Sequence, residues 1–335
     1  MGKRITVIGD GAMGTLCAAL LAGKGCAVTV WGHLAADVAR MKATRENPRL
    51  RGVKIPEAVQ LTADDAALRD VELILCAVPT QYIRPVLQRL RGHAPAGVPV
   101  ASVSKGIENG TLLRPTQIIV ELLGPRPVVA LSGPNISGEL ARKLPATVVA
   151  ASDDDALTLE IQELFTTPFL RVYRNDDVMG VELAGAMKNV IAIAAGILDG
   201  MQAGNNAKAA LLTRGLVEIS RLGVELGAKP ETFAGLAGLG DLVTTCVSPE
   251  GRNRSFGEKI GRGGKPAEVL AGMNGVVEGV PTTQSVIELA RRMKVEMPIS
   301  ESLYHVLFEG KDPKAAIMEL MSREPKHEVE GRDEL

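Results

Sequence analysis

The chain has 335 residues, 46% of them hydrophobic and 23% charged, with a formal net charge of −1. That length exceeds one small core and favours two domains, and the balance is that of an ordinary globular protein, which excludes general disorder. Near-neutrality excludes an overall basic field for nucleic acid, so any anion site must be local.

Residues 5–8, Ile-Thr-Val-Ile, are a short β-branched run that stops at Gly9-Asp10-Gly11-Ala12-Met13-Gly14, the pattern G-x-G-x-x-G. The small and helix-forming residues 12–21 predict a helix, Gly23 and Gly25 its end, and residues 27–31 a second strand. Strand, glycine turn and helix in this order predict a dinucleotide site. Gly9 allows the sharp exit from the strand, Gly11 lets the backbone approach a pyrophosphate, and Gly14 lets the helix lie close on the strand. The helix N-terminus then offers unpaired N–H groups to the anion. No leader segment is expected ahead of this unit.

An acidic residue at the end of the second strand would bind the ribose of NAD and repel the extra phosphate of NADP. Here Gly32 and His33 stand there, and the first carboxylate beyond the second strand is Asp37. His33 or Arg40 can meet a 2′-phosphate, so either NAD or NADP is admitted and the reading leans to NADP. Residues 43–54, with Arg45, Pro48, Arg49 and Arg51, read as a polar surface loop. Residues 71–78 are an apolar run ending in Pro79-Thr80, the pattern of a strand buried on both faces, and a helix is expected through Leu90, with Pro85 tolerated only in its first turn.

A further strand over 98–104 runs into Lys105, which puts an ammonium at the mouth of the expected site. Residues 127–131 repeat the pattern and end in Ser132-Gly133-Pro134-Asn135, with more strands expected over 146–151 and 169–173. Alternating strands and helices predict an α/β, doubly wound Rossmann-type domain over 1–177. Beyond Asp177 strand-like runs cease, and helices are expected over 178–199, 207–226, 281–293, 298–308 and 312–322, giving an all-α second domain over 178–335. Glycines 196, 200 and 204 argue for close packing or a break after the first of these helices.

That first helix is apolar on nearly every side, yet residues 183–198 contain one ionisable side chain, Lys188, followed by Asn189. A buried ammonium is costly unless it is paired or loses its proton, so Lys188 is expected to line a polar cavity. A second constellation is Gly238-Leu239-Gly240-Asp241-Leu242-Val243-Thr244-Thr245-Cys246, followed by Gly251-Arg252-Asn253-Arg254. An Arg-Asn pair entering a helix suits a phosphate. The cysteines at 17, 26, 76 and 246 show no C-x-x-C spacing, so a reducing cytoplasm is expected, with neither a disulfide framework nor a metal site. No uncharged apolar run is long enough to cross a membrane, so no integral membrane contact is expected. The terminal Arg332-Asp333-Glu334-Leu335 resembles an ER-retention tail, read here as accidental, and the charged segment 323–335 is expected to be mobile.

The motifs GDGAMGT, VSKGIE, SGPN, VELAGAMKNVIAIAAGILDG, GLGDLVTTC and GRNRSFG, in this order and spacing, resemble the bacterial-type NAD(P)-dependent glycerol-3-phosphate dehydrogenases, over residues 4 to about 321. The resemblance implies reversible reduction of dihydroxyacetone phosphate to sn-glycerol 3-phosphate for phospholipid synthesis, in a cytoplasmic homodimer. It implies that Lys188 is the general acid/base, with Lys105 and Asp241 beside it. It places Gly133, Asn135, Asn189, Thr245, Gly251, Arg252 and Asn253, with Lys105, Lys188 and Asp241, at the substrate. It places the glycine turn with Ala12 and Met13, and His33, Lys105, Ser137, Arg252, Val276 and Glu278, at the coenzyme. Three positions depart from the family: Gly32 where a basic side chain is frequent, Ser137 for alanine and Gly251 for serine. Two alternatives stay open: a related two-domain hydroxyacid dehydrogenase for a carboxylate substrate, and a dinucleotide sensor without turnover.

Overall fold

The computed structural model describes residues 2–50, 52–325 and 327–328. Arg51 and the Arg-Asp-Glu-Leu tail lie outside the described residues. The first half is one sheet of eight strands: β1 (Arg4–Ile8), β2 (Ala27–Trp31), β3 (Gln60–Thr62), β4 (Leu73–Cys76), β5 (Val100–Ser102), β6 (Val128–Ser132), β7 (Ala146–Ala151) and β8 (Leu170–Asn175). Their spatial order is β3-β2-β1-β4-β5-β6-β7-β8. β1 to β6 are mutually parallel, β7 is antiparallel to β6, and β8 is parallel to β7. Between the strands run α1 (Ala12–Gly23), α2 (Ala35–Thr44), α3 (Thr80–Leu90), α4 (Pro115–Leu123), α5 (Ser137–Ala141) and α6 (Asp155–Phe165). Two apolar clusters, one led by Val7, Leu75 and Val129 and the other by Ile8, Ile74 and Val100, cover the sheet's two faces. That is why β1 and β4 read as continuous apolar runs rather than alternating ones.

Strand order reverses between β1 and β4, and a doubly wound sheet opens a crevice for ligands at such a point. Gly9 stands there with φ +112°, and a Cβ on it would lie 2.6 Å from the Ala77 carbonyl oxygen just past β4. Two expectations need correction. Pro85 is the sixth residue of α3, beyond its first turn, so the Gln81 carbonyl has no amide donor one turn on. The stretch 43–54 is not merely a surface loop: Asn47 and Leu50 are buried, and the Asn47 amide donates to the carbonyls of Asp10 (2.9 Å) and Gly11 (3.3 Å) and to Thr15 Oγ1 (2.6 Å). It thus clamps the glycine turn from behind.

The second half is helical: α7 (Val178–Gly200), α8 (Gly204–Glu225), α9 (Pro230–Ala234), a π-helical turn (Leu236–Gly240), α10 (Asp241–Val247), α11 (Arg252–Gly261), α12 (Pro266–Ala271), α13 (Gly279–Met293), α14 (Pro298–Phe308) and α15 (Pro313–Met321). α7 is long and apolar enough to cross a bilayer, but it is buried within the protein, against α8, α10, α11, α13 and the sheet. Its N-terminus is capped by Asp177, whose carboxylate accepts from the Gly180 amide at 2.8 Å. Glycine allows α11 to lie directly on α7. A Cβ on Gly196 would fall 2.0 Å from the Arg254 carbonyl oxygen, and one on Gly257 2.0 Å from that of Ile193. Gly204, with φ +87°, makes the turn into α8, so the three glycines divide between packing and breaking.

Candidate active site

Lys105 follows β5 at the carboxyl end of the sheet, and Lys188 projects from the middle of α7. Both reach one carboxylate. Lys188 Nζ donates to Asp241 Oδ1 at 2.5 Å, and Lys105 Nζ donates to Asp241 Oδ2 at 2.6 Å. Asp241 is 1% exposed and Lys188 7% exposed, so these charges face each other out of water. Lys188 also donates to Thr245 Oγ1 at 2.6 Å, while Lys105 donates to Asn135 Oδ1 (3.0 Å) and the Gly133 carbonyl (3.1 Å). The π-helical turn feeds straight into α10, where Asp241 and Thr245, four residues apart, present one face to Lys188.

Two cations on one carboxylate leave the cluster with a net positive charge. Burial is the largest influence on Lys188 and favours its neutral form; Lys105 adds repulsion, Asp241 opposes both, and the result is a pKa lowered to about 8. Burial alone would raise Asp241, but Lys105 and Lys188 outweigh it and hold the carboxyl below its ordinary value. Lys188 therefore carries a proton at neutral pH and can release it easily, which an exposed lysine cannot do.

A second chain of polar groups runs alongside. Asn253 Nδ2 donates to Asn189 Oδ1 at 2.8 Å, and Asn253 Oδ1 accepts from the Gly279 amide at 2.9 Å. Gly251 stands just before α11 and Arg252 is its first residue. Arg252 is exposed, makes no hydrogen bond or ion pair among the described residues, and feels the charge of Glu278. Glu278 reaches across to the sheet half, where Oε1 accepts from the Thr80 amide at 3.2 Å. Among the described residues its Oε2 is sealed and without a hydrogen bond, as are Thr80 Oγ1 and Ser132 Oγ. Burial pushes Glu278 up to about 7, against the Thr80 amide and Arg252.

The glycine turn fits a dinucleotide. A Cβ on Gly14 would lie 2.1 Å from the Gly9 carbonyl oxygen, which forces glycine there, whereas among the described residues a Cβ on Gly11 would meet nothing within 4 Å. Gly11 thus faces open space at the N-terminus of α1, where Ala12 and Met13 form the first turn and no acidic side chain intervenes. His33 is exposed beyond β2, its ring 6.2 Å from that of Trp31. Ser137 opens α5, and Val276 precedes Glu278 on the way into α13. Among the described residues, His33, Ser137 and Val276 make no hydrogen bond to the lysine-aspartate cluster. Sequence alone marks Thr80 and Ser132 only as strand ends and Asn47 not at all, because a single threonine, serine or asparagine carries no functional signal until the fold shows what it touches.

Residues 4–158 match the family profile described as NAD-dependent glycerol-3-phosphate dehydrogenase N-terminus, and residues 177–318 match the corresponding C-terminus. The chain is 48% identical to the glycerol-3-phosphate dehydrogenase [NAD(P)+] of Geobacter sp. (strain M21), over 98% of this chain and 99% of that one. It is 47% identical to the protein of the same name from Geobacillus thermodenitrificans, over 98% and 97%. The crystal structure of glycerol-3-phosphate dehydrogenase from Coxiella burnetii superposes with a TM-score of 0.93 at 38% identity, covering 96% of this chain and 99% of the other. A ketopantoate reductase from Ralstonia eutropha shares the fold alone, with a TM-score of 0.62 at 15% identity. With profiles matching both halves and such relatives along nearly its full length, the chain belongs to the NAD-dependent glycerol-3-phosphate dehydrogenase family.

Proposed function

We propose that the protein interconverts dihydroxyacetone phosphate and sn-glycerol 3-phosphate with NAD(P)(H), residues 1–177 holding the dinucleotide and 178–335 completing the catalytic site. The observation that carries this reading is the meeting of Lys105 and Lys188, from the two halves of the chain, on opposite oxygens of Asp241. The coenzyme, when bound, supplies or accepts the hydride at the substrate's C2. Lys188 gives a proton to the C2 oxygen during reduction, forming the O–H bond as an N–H bond breaks, and takes it back during oxidation. Asp241 stays ionised and aims Lys188, and Lys105 adds positive charge where the oxygen becomes negative. Arg252, with Asn253 and the first amides of α11, holds the phosphate, converting binding free energy remote from the reacting carbon into placement of the carbonyl. Asn135, Asn189 and Thr245 orient the remaining oxygens.

The reading extends to phospholipid-precursor synthesis by a cytoplasmic homodimer, and four buried free cysteines suit a reducing compartment. Sedimentation should give a species of twice the chain mass, and a monomer would contradict the dimer. The activity itself is tested by following reduced coenzyme with dihydroxyacetone phosphate: substrate-dependent oxidation supports the assignment. Turnover with a 2-keto acid and none with the phosphate ester would move the chain to the hydroxyacid dehydrogenases; coenzyme binding without turnover would make it a sensor.

A further inference from the structure

The carboxylate absent from the end of β2 is supplied from elsewhere. Asp10, the residue between the first two glycines of the turn, directs its side chain towards β2. A Cβ on Gly32 would lie 2.9 Å from Asp10 Oδ2 and 2.6 Å from Val38 Cγ2, so a side chain there would displace the Asp10 carboxylate and the Val38 methyl. The Asp10 carboxylate thus stands where a side chain at the end of β2 would begin. Its backbone is fixed on both sides: the Asp10 carbonyl accepts from Asn47 Nδ2 at 2.9 Å, and the Gly9 amide donates to the Trp31 carbonyl at 2.9 Å.

Among the described residues, the two nearby arginines are already engaged. Arg40 Nη2 lies 2.9 Å from Asp37 Oδ1, and Arg49 Nη2 lies 3.8 Å from Asp37 Oδ2. Arg49 and His33 act on Asp10 through space, and Asp37 repels it, while burial of its carboxyl is the largest influence and raises the pKa. Among the described residues, these two arginines and the two aspartates Asp10 and Asp37 sum to zero, so they offer a phosphate dianion no surplus positive charge. A carboxylate at this place accepts from vicinal ribose hydroxyls and repels a 2′-phosphate.

We propose that Asp10, seated against Gly32, is the residue that sets coenzyme choice, accepting hydrogen bonds from the adenosine ribose of NAD(H) and disfavouring NADP(H). The inference rests on the dehydrogenase reading and reverses the lean drawn from the empty end of β2.

The test is equilibrium binding, by calorimetry on the full chain, of NADH, NADPH and the fragments 5′-AMP and 2′,5′-ADP, in the wild type and in Asp10→Asn, whose side chain is isosteric. The wild type should bind NADH at least about tenfold tighter than NADPH, and 5′-AMP tighter than 2′,5′-ADP. Asp10→Asn should close that gap by about tenfold, chiefly by strengthening NADPH, with NADH changed only a few-fold. Melting temperature without ligand should match the wild type, and if Asp10→Asn unfolds, Asp10→Ser takes its place with the same expectation. Wild-type preference for NADPH, or a ratio unmoved by the substitution, would overturn the role of Asp10 and leave the dehydrogenase reading standing. No binding of either dinucleotide would overturn both.

Discussion

Lys188 combines burial with two opposed neighbours, and each has a measurable consequence. With a pKa of about 8, the ammonium that the proposed reduction uses is complete at lower pH and is lost as pH rises through about 8. Reduction should therefore be flat below that value and fall above it, while glycerol-3-phosphate oxidation, which needs the free amine, should rise through the same region. Asp241 is the neighbour that favours the charged form. Asp241→Asn removes that support and leaves burial and Lys105, so the pH limit of reduction should move to lower values; a shift upward, or none, would contradict the pairing. Arg252 is exposed and free of protein partners among the described residues, so Arg252→Ala should leave the fold intact and raise KM for dihydroxyacetone phosphate by about 10- to 100-fold, as loss of a charged hydrogen bond does. An unphosphorylated analogue should lose little further. That Lys188 lies buried among polar partners was legible in the sequence, because one charge in a long apolar helix has few explanations. Asp10 was not, because its meaning depends on the space over Gly32, which appears only when β1 and β2 lie side by side.

The helix α7 is the element on which the helical half is assembled, and its glycines set how closely α11 approaches. Gly196→Ala would drive a methyl to within 2.0 Å of the Arg254 carbonyl oxygen, which has to move. Overpacking of this kind costs about 1–3 kcal/mol, so thermal denaturation should occur several degrees lower. Because α11 carries Arg252 and Asn253, KM for the substrate should rise with it; an unchanged melting point and KM would show that the helices do not bear on one another there. Long helical segments such as α7, α8 and α13 could be read from sequence to within a few residues. The pieces α9, the π-helical turn, α10 and α12 could not, since each is seven residues or shorter and held by its neighbours rather than by its own pattern. The strand β3, three residues long, escaped for the same reason.

The two halves are joined by buried charge as well as by apolar contact. Lys105 and Asp241 form one tie, and Glu278 and the Thr80 amide another. In a third, Glu182 of α7 accepts from Thr116 N at 2.9 Å and Thr116 Oγ1 at 2.6 Å and pairs with Arg114 at the start of α4. These ties converge on the carboxyl edge of the sheet, where the turn after β1 and the loops after β5 and β6 also end. The doubly wound order and the change to helices near residue 177 were legible because hydrophobic period switches there; the reversed pair β7 and β8 was not, since direction leaves no trace in composition. Proton transfer by Lys188 is the step on which this account of the site rests. Single-turnover hydride transfer in Lys188→Ala, measured beside coenzyme binding, should be slower by about 10²–10⁴ with coenzyme affinity unchanged. A rate within a few-fold of the wild type would contradict that role.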